Sequence, residues 1–262
     1  MTYLRVDAVW DEWVRRVRDS LRTHGYYYEQ EFCNETSDAK PVVAVARMLG
    51  QLHTPDGTDP ASPAILTQPS ASAPEWRPFD RRSRIGWHND FSTRPRRPVL
   101  SLSWIRHEDP SGPDGGAWRL ASAPAVLAKL LNTREGKRLV TEFSTRAEHF
   151  GYRDAGGWCP FRVITQAKCN SGGRGLRFYG RALEEGALLR FGHVPDRTKE
   201  IIARVEAAAD TVGEVLRASI GALLVVDNRL SLHDRLEQTV ASSKGCRRQS
   251  WLCFVQRLHE PL

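Results

Sequence analysis

The 262-residue sequence has no long apolar run. Its longest, Ile220 to Val226, contains a glycine and falls far short of the roughly 20 residues that a membrane-spanning helix requires. No membrane partner is expected. The opening residues, Met-Thr-Tyr-Leu-Arg-Val-Asp, lack the apolar stretch of a secretory leader, so a cytoplasmic location is expected. Cysteine is scarce and odd in number: Cys33, Cys159, Cys169, Cys246 and Cys253 include no pair at the spacing of zinc or redox motifs. They read as reduced thiols. Lysine is also rare, and arginine supplies most of the 38 basic residues that stand against 31 acidic ones, for a net charge of +7. Such an excess suits nucleic acid or an anionic small molecule. The arginines are nevertheless spread along the chain without an RNA-binding aromatic signature, so nucleic acid is not expected. There is no internal repeat and no regular alternation of strands with helices, which argues against a doubly wound parallel sheet.

What is present reads as helices first, then strands interrupted by helical segments. Val6, Val9, Trp10, Trp13, Val14, Val17 and Leu21 recur at helical spacing, which predicts an amphipathic helix over 6–23 ended by Gly25. An aromatic strand should follow over 26–32. A second helix is expected with Ser37 or Asp38 as cap, Pro41 in its first turn and Gly50 at its end. Residues 54–76 read as a loop with one strand around 65–67. Alternation from Val99 predicts a strand, and 109–116, dense in Pro, Asp and Gly, predicts a loop. Helices are expected over 123–131 and 196–218, and strands over 222–227 and 250–255. The pattern predicts an α+β protein built on an antiparallel double sheet or barrel.

The chemical signal begins at Gly86-Trp87-His88-Asn89-Asp90. In an extended segment alternate side chains share a face, so His88 and Asp90 can address one ion. A neutral imidazole and a carboxylate suit Fe(II), and a second histidine from elsewhere completes the facial set of two His and one carboxylate with open positions. Leu223 to Val226 reads as a buried strand running into Asp227-Asn228-Arg229-Leu230-Ser231-Leu232-His233, and a strand end is where a barrel presents ligands. Further on, Arg247 and Arg248 open the strand over 250–255. A hairpin should return that strand alongside His233 and bring a guanidinium, which binds carboxylates bidentately, near the metal. His107, His149 and His193 have no partner at ligand spacing and read as structural or surface residues.

These segments resemble the taurine dioxygenase and clavaminate synthase group of Fe(II)/2-oxoglutarate oxygenases. Trp87-His88-Asn89-Asp90 is similar to that group's Trp-His-Thr-Asp segment, and Asp227-Asn228-Arg229 with His233 to its Asp-Asn-Arg-x-x-x-His segment. The resemblance implies one oxygenase domain over 1–262 with a distorted double-stranded β-helix (jelly roll, cupin-like) core, flanking helices and a helical insert roughly over 123–218. It implies Fe(II) held by His88, Asp90 and His233, with 2-oxoglutarate and dioxygen as cosubstrates. Arg248 corresponds by position to the arginine that holds the distal carboxylate of 2-oxoglutarate, and Lys244 falls where a second arginine is often found. One departure stands out. Gly115-Gly116-Ala117-Trp118 is similar to a Gly-Gly-x-Thr element whose threonine helps bind the cosubstrate, and Trp118 offers only an indole donor and more bulk. Ser122 or another group could supply the hydroxyl, or 2-oxoglutarate binds differently.

The resemblance further implies oxidation of a C–H bond. Hydroxylation leads, since halogenating relatives replace the carboxylate that Asp90 supplies, while desaturation and cyclisation stay open. Arg84, Asn89, Arg177 and Tyr179 are candidates for lining the substrate site, where cations would suit an anionic or amino-acid-like molecule, free or carrier-bound, in natural-product biosynthesis. Two other readings remain: a metal enzyme of the same barrel that does not use 2-oxoglutarate, and a non-catalytic basic binding module.

Overall fold

The computed structural model describes residues 3–34, 38–55, 59, 61–70, 72–73, 78–94, 96–145, 151–154, 157–160, 162–166, 174–239 and 247–260. In chain order the elements are α1 (Tyr3–His24), β1 (Tyr26–Glu29), α2 (Lys40–Leu49), β2 (Gly50–His53), β3 (Ile65–Thr67), β4 (Leu100–His107) and β5 (Trp118–Ser122). Then come α3 (Ala123–Leu131), α4 (Arg134–Thr145), β6 (Gly151–Asp154), β7 (Gly157–Pro160), β8 (Ile164–Gln166), β9 (Arg174–Leu176), α5 (Gly180–Phe191) and α6 (Asp196–Val212). β10 (Glu214–Leu216), β11 (Leu223–Asp227), β12 (Ser231–Arg235) and β13 (Gln249–Leu258) complete the chain.

Two antiparallel sheets make the core, as the α+β expectation required. The larger runs β1-β11-β4-β13-β2, with β3 also on β13, and the smaller runs β10-β5-β12. One face of the large sheet is covered by the first two helices: Trp13, Val17 and Leu21 of α1 and Val42, Val45 and Leu49 of α2 bury against Leu100, Leu223 and Val255. The part of the stripe from Trp13 to Leu21 is a packing stripe, whereas Val9 and Trp10, read as part of it, are exposed. Gly25 ends α1 with φ +81°, a conformation that favours glycine. α3, α4 and α6 pack with Trp87 and Leu232 in a second core. No helix among the described residues is long and apolar enough to cross a membrane. Cys33 and Cys253 are free thiols, while the side chains of Cys159, Cys169 and Cys246 lie outside the described residues.

Several boundaries differ from the sequence reading. The aromatic strand stops at Glu29 rather than Phe32. The last long helix ends at Val212, not Ala218, and Val215 lies in β10 opposite Arg119. Val215 continues the helical spacing of 205, 208 and 212, so periodicity alone runs past the break. The chain leaves the helix at Gly213, which is extended at ψ 149°, and a Cβ there would sit 2.7 Å from the Trp87 ring, so the position admits only glycine. Ala39, without a side-chain hydrogen bond, caps α2. Asp38 is one residue early and accepts from the Lys40 backbone N–H; Ser37 is outside the described residues.

The largest correction concerns Arg248. The strand it opens, β13, does not form a hairpin with the strand of His233. β12 pairs with β5 in the small sheet, while β13 pairs with β4, β3 and β2 in the large one. Arg248 therefore meets the cavity from the opposite sheet. Strand alternation reveals facing, but not which of two sheets a strand joins.

Candidate active site

Residues 86–90 realise the alternation expected of them. Trp87 and Asn89 are buried, at 0% and 1% exposure, on the side of the helical core, and His88 and Asp90 turn toward the cavity. Asn89 fastens the segment on both flanks. Its Oδ1 accepts from the Phe178 N–H at 2.9 Å, its Nδ2 donates to the Ser231 carbonyl at 2.7 Å, and its own N–H donates to the Phe178 carbonyl at 2.9 Å. His88 and His233 form an antiparallel bridge, each N–H donating to the other's carbonyl at 2.9 Å. Directly opposed residues in such a pair project to the same side, and the imidazole centroids lie 4.3 Å apart.

The carboxylate completes the group. Asp90 Oδ1 is 3.7 Å from His88 Nε2, and Oδ2 is 3.2 Å from His233 Nε2. One ligand atom from each of the three residues lies within 4.8 Å of the others. Asn228, fully buried, accepts from the Asp90 N–H at 3.0 Å, so the Asp-Asn-Arg segment positions the carboxylate. Asp227 in turn accepts from the Arg229 N–H, Nε and Nη2 and closes the turn between β11 and β12. His88 Nδ1 lies 2.8 Å from the Gly86 carbonyl. That contact fixes the proton on Nδ1 and leaves the Nε2 lone pair for a metal.

Charge agrees with this assignment. Burial alone would raise the Asp90 carboxyl, but the His233 and His88 imidazoles hold it well below the ordinary carboxylate range. Burial would lower His88; the hydrogen bond and charge of Asp90 outweigh that and raise it.

The three side chains line one cavity whose walls include Leu102, Leu224, Val226 and Phe254. Arg248 also lines it, 3% exposed, with its Nε buried and without a hydrogen-bond partner. Its Nη1 reaches the Ser250 hydroxyl at 3.4 Å. Burial, with repulsion from Arg235, pushes this guanidinium down to about 9, and Asp109 opposes them. Gly116 makes room for it: a Cβ there would lie 2.8 Å from Arg248 Cδ and Nε, which explains that glycine.

No family model matches the sequence, and no curated protein matches it significantly. Solved structures do match. An asparagine oxygenase in complex with Fe(II), 3-hydroxyasparagine and succinate superposes with a TM-score of 0.72 at 18% identity, covering 94% of this chain and 79% of its own. PvcB, an Fe, α-ketoglutarate-dependent oxygenase from an isonitrile synthetic pathway, gives 0.65 at 16% identity, with 92% and 79% covered. A taurine dioxygenase from Burkholderia xenovorans gives 0.62 at 15% identity, with 93% and 81% covered. The chain has the fold of these oxygenases. The jelly roll expected from the sequence is the architecture observed.

The remaining candidates are placed unevenly. Trp118 lines the cavity, 6% exposed, edge-on to Tyr28. Ser122 does not line the cavity, and its Oγ caps α3 by accepting from the Ala125 N–H. Arg247 is exposed, unlike its neighbour, and Lys244 lies outside the described residues. Tyr179 stands next to His88, ring centroids 5.5 Å apart. Arg84 does not line the cavity; it pairs with Asp234 and with Asp210. Asn89 is committed to the backbone contacts above. Arg177 donates to the Ser92 and Arg94 carbonyls.

Sequence reasoning missed Thr67, Ser250 and Arg235, all of which line the cavity. Thr67 Oγ1 lies 2.7 Å from Ser250 Oγ, placing two hydroxyls near Arg248. Arg235 is 5% exposed and donates to the Leu236, Arg81 and Ser83 carbonyls. It follows His233 by two residues in a strand, so the alternation argument applied to His88 and Asp90 would have found it.

Proposed function

We propose that this chain is an Fe(II)- and 2-oxoglutarate-dependent oxygenase that hydroxylates a C–H bond of a small amino-acid-like or anionic molecule. The observation that carries the reading is the joint occupation of one cavity by a His-Asp-His triad and a buried arginine that forms no ion pair among the described residues and whose Nε meets no hydrogen-bond partner. The donor set fits Fe(II): two imidazoles and one carboxylate on one side leave positions open for small ligands. The orphaned Nε of Arg248 fits a dicarboxylate reaching in from the metal end. When bound, Fe(II), 2-oxoglutarate and dioxygen supply the oxidation, with the keto acid decarboxylated to succinate.

The protein's own residues hold and shield. His88 and His233 present Nε2 from a shared backbone bridge, and Asp90 adds one negative charge. Arg248, with the Thr67 and Ser250 hydroxyls near it, receives the distal carboxylate of 2-oxoglutarate, the hydroxyls replacing the one that Trp118 does not offer. Leu102, Leu224 and Val226 keep water from the reacting end, where the bound geometry sets which bond is attacked. The amino-acid-like substrate class is supported by the likeness to the asparagine oxygenase, and hydroxylation by the carboxylate at Asp90. Tyr179, beside His88, is the best placed of the sequence-derived substrate contacts. Residues 123–218 are read as an insert in one catalytic unit.

Anaerobic addition of Fe(II) and then 2-oxoglutarate tests the reading. A weak visible charge-transfer band is expected on addition of the keto acid. Iron bound without that band would remove 2-oxoglutarate from the proposal.

A further inference from the structure

Ile85, His88 and Asp90 all line the cavity, while Trp87 packs in the helical core. A strand repeats its facing every two residues, so 88 and 90 agree with each other and 85 does not. One residue too many lies between Ile85 and His88, and the pairing with β12 shows the same excess. His88 and His233 exchange both backbone hydrogen bonds at 2.9 Å, and the Ile85 N–H donates to the Arg235 carbonyl at 3.4 Å. Three steps along one segment thus match two along the other, which makes Gly86 and Trp87 a β-bulge opposite Asp234. Gly86 adopts φ +91°, yet a Cβ on it would meet only Glu206 Oε1 within 4 Å, at 3.9 Å. Glycine serves conformation here, not space.

Each bulged residue is held by its own acid. The Gly86 N–H donates to Asp234 Oδ1 at 2.8 Å, and Trp87 Nε1 donates to Asp210 Oδ1 at 2.9 Å. Arg84 and Arg119 each pair with both carboxylates, and Arg119 also lies 4.5 Å over the Trp87 ring. Of the two acids, Asp234 is the fully buried one. The Gly86 carbonyl in turn receives His88 Nδ1 at 2.8 Å, so contacts that begin at Asp234 end on an imidazole of the triad. Bulges re-aim side chains next to functional sites. A slip of one residue would turn His88 and Asp90 to the helical side and bring Trp87 into the cavity.

Resting on the reading of His88, Asp90 and His233 as metal ligands, we propose that Gly86 and Asp234 are positioning residues of the metal site. Asp234, by holding the Gly86 N–H, keeps the bulge that turns His88 and Asp90 into the cavity.

Co(II) titrated into the metal-free full chain, followed by its visible absorption, tests this, with urea denaturation of the same proteins alongside. Asp234→Ala removes the acceptor, and its Co(II) affinity is expected to fall by about tenfold to a hundredfold. Gly86→Ala, which has room for the methyl group but strains the backbone, should lose affinity likewise. Gly192→Ala is the matched control: Gly192 ends α5 at φ +72° with nothing within 4 Å of a Cβ, so its alanine variant should lose comparable stability and still bind Co(II) as wild type does. Asp234→Asn keeps an oxygen for the Gly86 N–H and should bind Co(II) with an affinity closer to wild type than to Asp234→Ala, although it is less stable. Wild-type affinity in Asp234→Ala or Gly86→Ala, a loss in Gly192→Ala as large as in Gly86→Ala, or an Asp234→Asn as weak as Asp234→Ala would each overturn the proposal. Should wild type bind no Co(II), or His88→Ala bind it equally well, the metal reading itself falls and takes this one with it. If Asp234→Ala does not fold, Gly86→Ala against Gly192→Ala decides.

Discussion

His88 and His233, distant in the chain, exchange both of their backbone hydrogen bonds at 2.9 Å. The main chain thereby sets the two imidazoles side by side, with ring centroids 4.3 Å apart. Asp90 depends instead on Asn228. Removing the carboxylate by Asp90→Ala should abolish hydroxylation while leaving the far-ultraviolet circular dichroism unchanged. Product formation by that variant at the wild-type rate, without an added ligand, contradicts the role given to Asp90.

Asn228→Ala should act one step back. It removes the acceptor of the Asp90 N–H inside a fully buried site, at a cost of about 1–3 kcal/mol. Urea denaturation should register that loss, and Fe(II) affinity should fall with it. An unchanged midpoint and unchanged affinity would mean that the Asp90 backbone is held elsewhere.

Arg248→Met separates binding from folding. The side chain is buried with an unmet Nε, so the metal-free variant should be as stable as wild type or more so. Its 2-oxoglutarate affinity should drop by about tenfold to a hundredfold, a charge-assisted hydrogen bond being worth about 1.5–3 kcal/mol. Calorimetric titration of 2-oxoglutarate into the Fe(II)- or Co(II)-loaded protein measures it. Arg247→Met, at an exposed position, should change neither quantity.

Asp210 and Asp234 share the same two arginines, Arg84 and Arg119, but differ in burial. Asp234 is 0% exposed at its side chain and also accepts from the Gly86 N–H at 2.8 Å, whereas Asp210 is 47% exposed. Asp234→Asn should therefore cost about 3–5 kcal/mol and Asp210→Asn less than about 1 kcal/mol. Equal losses in denaturant titrations would show that solvent does not distinguish the pairs.

The triad also sets a pH profile. His88 is raised above its ordinary value of 6.5, so its contribution to metal-free stability is complete below that value and fades as pH climbs through the higher folded value. Asp90 is lowered from 3.8, so its contribution is present above that value and is lost as pH falls through the lower folded one. Metal-free protein should gain most from the triad between those two ordinary values. Fe(II), which needs neutral imidazoles, should bind more tightly as pH rises past 6.5. Thermal scans with and without metal across this range would reveal the opposed trends, and parallel curves would contradict them.

Much of the site was legible because it rests on strand alternation. His88 and Asp90 two apart, and a histidine after a buried strand, are local patterns, and the cavity gathers them. What failed was pairing. Nothing in residues 231–258 says that β12 joins β5 while β13 crosses to β4, since either sheet would bury the same apolar alternation. Gly213 was passed over for a similar reason: Val215 stays in helical phase, and the Trp87 ring that requires a glycine there is distant in sequence. Asn89 and Arg84 are polar and near the ligands in sequence, but their partners, Phe178, Ser231, Asp210 and Asp234, are long-range and invisible locally.

The last strand in sequence among the described residues, β13, lies between β4 and β2 in the interior of the large sheet rather than at its edge. A ribosome releasing this chain in order must leave the sheet split until Gln249–Leu258 emerges, so early fragments carry unsealed strand edges and depend on chaperone shelter or speed to avoid aggregation.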